Sequence, residues 1–268
     1  MISILDLNQD CLNNIFQYFS IYELIDIEDT CNAFKTTCEF VYKSKKFHML
    51  RIELRFLRCE YFEAIFDRIG STIKELQFSG GNHMDKHLKE SLIDVINDHC
   101  IKLSKLTINY VQFDHDSFIK LEKCFHNLTY LDLSRCSINE NELKHCLDGE
   151  KLKSIQTLKL AGNTLLNGSF FKDMRHIRVL DVSYCFNLLY FHFFTFIKNN
   201  CNQLRELDAT GSCQLIPEDE NILMDLLKYQ PYLEKIVMDN VGLQKDDEIL
   251  SQFKNLKHSS FAGRRFGT

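Results

Sequence analysis

The sequence predicts an α/β solenoid, a curved parallel sheet lined by helices, preceded by a short three-helix segment. Three observations carry this. An apolar-x-x-apolar-x-apolar pattern recurs from residue 73 onward, whereas residues 1–45 place their apolar groups at helical spacing. Two prolines and ten glycines in 268 residues are too few for a disordered linker or for an all-β protein built on tight turns. A composition that is 45% hydrophobic suffices for a large core in one or two domains.

The first element is a helix. Leu12, Ile15, Phe16 and Phe19 stand at i, i+3, i+4 and i+7, which is one helix face, and Asn8 is its expected N-cap. Ser20-Ile21-Tyr22-Glu23 reads as a capping box opening a second helix with Leu24, Ile25 and Ile27 apolar. A third helical stretch carries Cys31, Phe34, Cys38 and Val41. Three such short helices make a marginal core, typically stabilised by docking on something else. Residues 46–72 form a linker or an irregular first repeat, with Phe47, Leu50 and Ile52 as its apolar groups.

Residues 73–268 hold the repeats. The rows are Ile73/Leu76/Phe78, Leu103/Leu106/Ile108, Leu128/Leu131/Leu133, Ile155/Leu158/Leu160, Ile177/Leu180/Val182, Leu204/Leu207/Ala209, Leu233/Ile236/Met238 and Leu256/Ser259/Phe261. Only Ser259 breaks the pattern. The rows recur every 22 to 30 residues, a mean of about 26, inside the usual range for repeats of one strand and one helix. Alternation at period two suits a half-buried strand. Most rows are followed by helical spacing, as in Leu88, Leu92 and Ile96, in Leu143 and Leu147, in Phe193 and Ile197, and in Leu223, Leu226 and Leu227. One strand and one helix cannot bury their apolar faces alone, but stacked copies share a continuous core.

This pattern resembles leucine-rich repeats, and specifically their cysteine-containing class. In that class the slot after the strand is often Cys or Asn, and a Cys often precedes the next strand. Cys136, Asn163 and Cys185 fill the first slot, and Cys100 and Cys201 stand three residues before Leu103 and Leu204. Ser137-Ile138-Asn139-Glu140-Asn141-Glu142-Leu143 matches the following turn and helix. Gly81, Val111, Ser212 and Val241 depart from the pattern. The resemblance covers roughly residues 73–262.

The N-terminal segment resembles the F-box. The matching residues are Leu5-Asp6-Leu7, Leu12, Ile15-Phe16, Tyr18-Phe19, Glu23-Leu24-Ile25 and Thr30-Cys31-Asn32-Ala33-Phe34. The family's usual proline is Asn8 here, and its usual basic residue after the cysteine is Asn32. The resemblance implies binding to the Skp adaptor, and through it to a cullin, with Leu5, Leu7, Leu12, Ile15, Phe16, Phe19 and Leu24 as the adaptor-binding residues. The repeats would then select a protein substrate for ubiquitin conjugation and proteasomal degradation, in the cytoplasm and/or nucleus. The alternative is a ligase-independent repeat scaffold or inhibitor whose N-terminal helices merely cap the first repeat. The first reading expects Leu7, Leu12, Ile15, Phe16 and Phe19 partly exposed, and the second expects them packed on the repeats.

The x residues of each strand point to the concave face. The slot between the second and third apolar residues reads Gln77, Thr107, Asp132, Lys159, Asp181, Asp208, Val237 and Ser260. With Tyr130, Arg135 and Tyr184, the residues Asp132, Lys159, Asp181 and Asp208 are the candidate substrate contacts. Arg205 and Glu206 lie nearby. Together they form a mildly acidic, tyrosine-bearing patch suited to a basic or mixed-charge segment. The last residues, Gly263-Arg264-Arg265-Phe266-Gly267-Thr268, are a candidate tail for that concavity.

Other functions are disfavoured. The 32 basic and 37 acidic residues give a formal net charge of −5, which argues against a nucleic-acid partner. No stretch approaches the roughly 20 apolar residues that span a bilayer, so no membrane partner is expected. Met1-Ile2-Ser3-Ile4-Leu5-Asp6 lacks the basic start and apolar run of a secretory signal, so the 11 cysteines are expected to be reduced. His99-Cys100, Cys124-x-His126 and His145-Cys146 lack paired-ligand spacing, so neither a metal nor any cofactor is expected. Gly80-Gly81-Asn82 reads as a loop, and His83 and His87 as solvent-facing helix positions. No nucleophile, metalloprotease or phosphate-loop motif occurs, and no catalytic residue is assigned.

Overall fold

The computed structural model describes residues 3–57, 61–81, 86–146, 153–171, 174–212, 222–241 and 246–262. The proposed tail from Gly263 onward, and Asn82, His83 and Leu147, lie outside the described residues.

The N-terminal segment forms three helices. Asn8 caps α1 (Gln9–Phe16), its Oδ1 accepting from the Cys11 backbone N–H at 2.9 Å. Ser20 and Glu23 make the expected reciprocal capping box at the start of α2 (Ile21–Glu28). Those bonds hold the Glu23 carboxyl below its ordinary range. Both helices pack on α3 (Asn32–Tyr42). The Phe16 ring meets Phe34 edge-on at 5.0 Å between centroids, and Phe19 lies beside it.

Strands then follow, with a helix in most of the intervals between them. The strands are β1 (Met49–Glu53), β2 (Glu75–Ser79), β3 (Lys105–Asn109), β4 (Tyr130–Asp132), β5 (Thr157–Lys159), β6 (Val179–Asp181), β7 (Glu206–Asp208), β8 (Lys235–Val237) and β9 (His258–Ser260). Between them lie α4 (Phe62–Ile69), α5 (Lys86–His99), α6 (His115–Lys120), α7 (Glu140–Cys146), α8 (Tyr190–Thr195), α9 (Ile222–Tyr229) and α10 (Asp247–Leu250). The strands make one open sheet in chain order, every neighbour parallel. This is the predicted α/β leucine-rich-repeat solenoid. β1 adds a row before residue 73, pairing Leu50 with Leu76 and Ile52 with Phe78.

Burial decides the register. Leu76, Leu106, Leu131, Leu158, Leu180, Leu207 and Ile236 stand opposite one another along the sheet. Every apolar slot of the first seven rows is at most 4% exposed. A one-residue slip would turn each of these side chains outward. The last row, Leu256, Ser259 and Phe261, is only partly buried, because among the described residues β9 is the terminal strand of the sheet.

A second ladder runs through the slot after the strand. Cys136 Sγ donates to the Ile108 carbonyl at 3.0 Å, and Cys185 Sγ to Leu160 at 3.3 Å. Asn163 Nδ2 donates to Leu133 at 2.9 Å, and Ser212 Oγ to Val182 at 2.7 Å. Each is a small donor reaching the carbonyl of the preceding row. A bare loop would otherwise leave that carbonyl unpaired in the interior, at a cost of about 1–3 kcal/mol. Asn163 is the fullest case: its Oδ1 also accepts from the backbone of Cys136 and Ile138.

Candidate functional site

Two surfaces carry the functional residues, one on the N-terminal helices and one on the sheet. On the helices, the residues predicted to touch an adaptor divide by exposure. Leu12 (2%), Phe16 (1%) and Leu24 (0%) are interior, so these three are corrected from contact groups to core groups. Helices this short need every large apolar side chain on their inner faces to fill a shared core. Leu7 and Phe19 are partly exposed. Leu5 (55%) and Ile15 (37%) face outward, with Ile4 and Tyr18 also exposed. Phe16 packs against Phe19 and Phe34 within the three helices.

The helices are nevertheless joined to the first repeat. Glu28 on α2 is buried, and Arg68 on α4 donates Nε–H to its Oε1 at 2.6 Å. Tyr42 on α3 donates its hydroxyl to Glu28 Oε2 at 2.9 Å. Burial alone would raise the Glu28 carboxyl, but the bonds from Arg68 and Tyr42 and the Arg68 charge outweigh it and hold it low. Tyr61 hydrogen-bonds Asp26 and sets its ring edge-on to Tyr22 at 5.2 Å. Lys46 donates to the Gln17 and Phe19 carbonyls at the end of α1.

On the sheet, Asp132, Lys159, Asp181 and Asp208 are register neighbours, as predicted. Their carboxylates are not free. Asp132 Oδ1 accepts from the Ser134 N–H (3.0 Å) and Oγ (2.6 Å), and Asp181 Oδ1 from the same two groups of Ser183 at 3.0 and 2.7 Å. Asp208 Oδ1 accepts from the Thr210 N–H at 3.0 Å. These aspartates close the turn that ends each strand, as short polar side chains do. Asp132 is buried, which removes it from the candidate contacts. Burial, with Asp208 alongside, lifts the Asp181 carboxyl above its ordinary range despite the Ser183 bonds. Burial would depress the Lys159 ammonium, but Tyr130, Asp132 and Asp181 together raise it, and it lies 5.6 Å from the Tyr130 ring centre.

Just beyond the strands runs a column that takes in the predicted Arg135 and Tyr184 and adds Tyr110, which the sequence did not single out. Gly80, Tyr110, Arg135, Gly162, Tyr184, Gly211 and Asn240 all hold positive φ, between 56° and 80°. L-residues are strained there by about 1–2 kcal/mol. Four of the seven are nonetheless not glycine, and Tyr110, Arg135 and Tyr184 are exposed. The Arg135 guanidinium lies over the Tyr110 ring at 5.2 Å, and Tyr184 meets Phe186 edge-on at 6.2 Å. The glycines make room. A Cβ on Gly162 would come within 2.8 Å of Arg135 Cγ, and one on Gly211 within 2.7 Å of Tyr184 Cδ1. The column was visible in the sequence as a glycine recurring two residues after the third apolar slot, at Gly80, Gly162, Gly211 and Gly263.

Burial pushes the Cys100, Cys136 and Cys185 thiols up to about 12, leaving almost no thiolate at neutral pH. Among the described residues no helix is long and apolar enough to cross a membrane.

The N-terminal helices also match a known family. Residues 4–46 match the model of the F-box domain. The F-box thus spans α1 to α3 and ends at Lys46, the residue that ties it back to α1. No curated protein matches the chain. Among solved structures, a chain of the yeast Rad7–Elc1 complex aligns at 11% identity and a TM-score of 0.38, covering 92% of this chain and 86% of that one. The leucine-rich repeat-containing protein LegL7 from Legionella pneumophila aligns at 13% identity and a TM-score of 0.43, covering 82% of this chain and 85% of that one.

Proposed function

We propose that this chain is the substrate-recognition subunit of a Skp–cullin–F-box ubiquitin ligase, its F-box binding the Skp adaptor and its repeats binding a protein substrate. The observation that carries this is the F-box at residues 4–46 joined through Glu28 and Arg68 to a repeat sheet with an exposed aromatic and cationic column. The F-box offers Leu5, Leu7, Ile15 and Phe19 to the adaptor. Tyr110, Arg135, Tyr184 and the half-buried Lys159, Asp181 and Asp208 offer a surface to the substrate. The repeats are assigned to the cysteine-containing class, on the thiol-to-carbonyl bonds of Cys136 and Cys185. The chain itself is non-catalytic in this reading. Other subunits transfer ubiquitin, in the cytoplasm or nucleus, and the substrate goes to the proteasome.

The test is a pull-down of purified Skp adaptor by the full chain, compared with the full-length double variant Leu5→Asp, Ile15→Asp. Both sites are exposed, so the variant is expected to fold with an unchanged Tm. Adaptor capture by the natural chain, lost in the variant, is the expected result. A folded natural chain that captures no adaptor would overturn the ligase assignment in favour of a ligase-independent scaffold, with Asn8 in place of the usual proline as the first position to examine.

A further inference from the structure

Between the end of α5 and the short turn Leu121–Asn127 that precedes β4 lies a cavity of about 210 Å³. Its wall carries two free thiols from adjacent repeats, Cys100 just after α5 and Cys124 in the turn. Their spacing along the chain predicts no metal, but stacking of one repeat on the next puts both sulfurs on one cavity. Cys124 Sγ donates to Asn97 Oδ1 at 2.8 Å, and Asn97 stands one helical turn before Cys100. The amide is held in turn, its Nδ2 donating to the Lys120 carbonyl at 3.1 Å. Cys100 is buried and Cys124 partly so, while Lys123 and Asn127 on the same wall are exposed, so the cavity opens to solvent.

The two thiols feel one another. Burial raises the Cys124 thiol to about 12, and the neighbouring Cys100 adds to the effect. A pair so protonated is a poor nucleophile. It is still a pair of soft donors, and soft donors select soft ions. Structural zinc takes four ligands, and iron–sulfur clusters take four thiolates. Among the described residues no group of three His, Cys, Asp or Glu is placed to hold a metal. Cuprous ion is soft and is satisfied by two sulfurs, which is the number this cavity offers.

We infer that Cys100 and Cys124 form a two-sulfur site for a cuprous ion, which clamps α5 to the repeat that follows. Binding replaces two S–H bonds by two S–Cu bonds and releases two protons to solvent. Copper stays Cu(I), so no oxidant or reductant is consumed. Two thiolates and one Cu(I) carry −1, and Lys123 on the cavity wall supplies the opposite charge. Asn97 is a positioning residue, because it orients the Cys124 sulfur without itself being a ligand. The site needs neither the adaptor nor a substrate, so this inference stands apart from the substrate-receptor reading.

The experiment titrates the full natural chain with Cu(I), supplied as its acetonitrile complex without oxygen, against a chromogenic Cu(I) chelator. One ion per chain should be withheld from the chelator, and the copper K-edge absorption spectrum should show two sulfur neighbours. Tm should rise with Cu(I), since the ion binds the native state. Cys124→Ser should bind more than about a hundredfold more weakly, because a lost ligand costs more than a lost supporting residue. Asn97→Ala should weaken binding about tenfold. Cys11→Ser removes an exposed thiol on the F-box and should bind as the natural chain does. A natural chain that withholds no copper, a spectrum with three or more sulfur neighbours, or full retention by Cys124→Ser would each overturn the inference. So would loss of copper in Cys11→Ser, or Zn(II) held as tightly as Cu(I). The chelator competition and the spectrum use only the natural chain, so a variant that fails to fold cannot mask the result.

Discussion

Glu28 on α2 and Arg68 on α4 form a mostly buried ion pair that crosses from the F-box to the first repeat, with the Tyr42 hydroxyl as a third member. Removing one partner strands the other's charge away from water, whereas replacing both by apolar groups need not. Arg68→Ala should therefore cost about 2 kcal/mol, a modest value because the arginine keeps part of its surface in water. The double variant Glu28→Gln, Arg68→Met should recover most of that loss. Denaturant unfolding of the two variants decides this, and a double variant as weak as the single would refute it.

The same carboxylate sets a pH dependence. Its folded pKa lies below the unfolded value, so it stabilises the fold above the unfolded pKa and loses that contribution as pH falls through the folded one. Asp181 has the opposite sign. Its folded pKa is raised, so the native state binds the proton more strongly and the residue costs stability once pH rises past the unfolded value. Asp181→Asn keeps an acceptor for Ser183 and should not lower Tm at neutral pH. Relative to that variant, the natural chain should gain stability on acidification across the carboxylate range, whereas relative to Glu28→Gln it should lose it. Melting curves across the acidic range read both signs.

Asn163 is buried with all of its amide hydrogen-bonding groups engaged. Asn163→Ala leaves buried carbonyls and N–H groups unpaired, at about 2–3 kcal/mol in total. Asn163→Cys should be milder, because Cys136 and Cys185 satisfy the equivalent carbonyls one row to each side. The ranking by chemical denaturation checks the assignment, and a cysteine variant no better than alanine would contradict it.

Gly211 holds a φ of +72° beneath the Tyr184 ring. Gly211→Ala therefore incurs left-handed strain of about 1–2 kcal/mol as well as a ring clash. In a Tyr184→Gly background only the strain remains. The loss caused by Gly211→Ala should be visibly smaller there, and a double-mutant cycle measures the difference.

The repeat rows were legible in the sequence because a core slot demands an apolar side chain whatever its neighbours are. Leu131 and Leu180 announce themselves by spacing alone. The capping box of Ser20 and Glu23 was equally visible, since both partners lie within one helical turn. The F-box contact set was less so. Leu12 and Ile15 share one helix face in the sequence, yet Leu12 is interior and Ile15 partly exposed, because a short helix packed on one neighbour buries only part of its apolar stripe. The aspartate column was visible as charge, but not its engagement with Ser134, Ser183 and Thr210, which depends on the turn that each strand enters.

Taken alone, the amino-acid order determined the solenoid, its register and its F-box start, since periodicity and local capping are properties of neighbours along the chain. Only the tertiary structure decided which polar groups remain available. Asp132 and Asp181 turn inward on their own loops, while Arg178, 27 residues from Arg205, the next arginine of its edge, stands beside it because parallel strands stack one row upon another. Availability to a partner is set by what folds over and alongside each group, and that information is spread over residues far apart in the sequence.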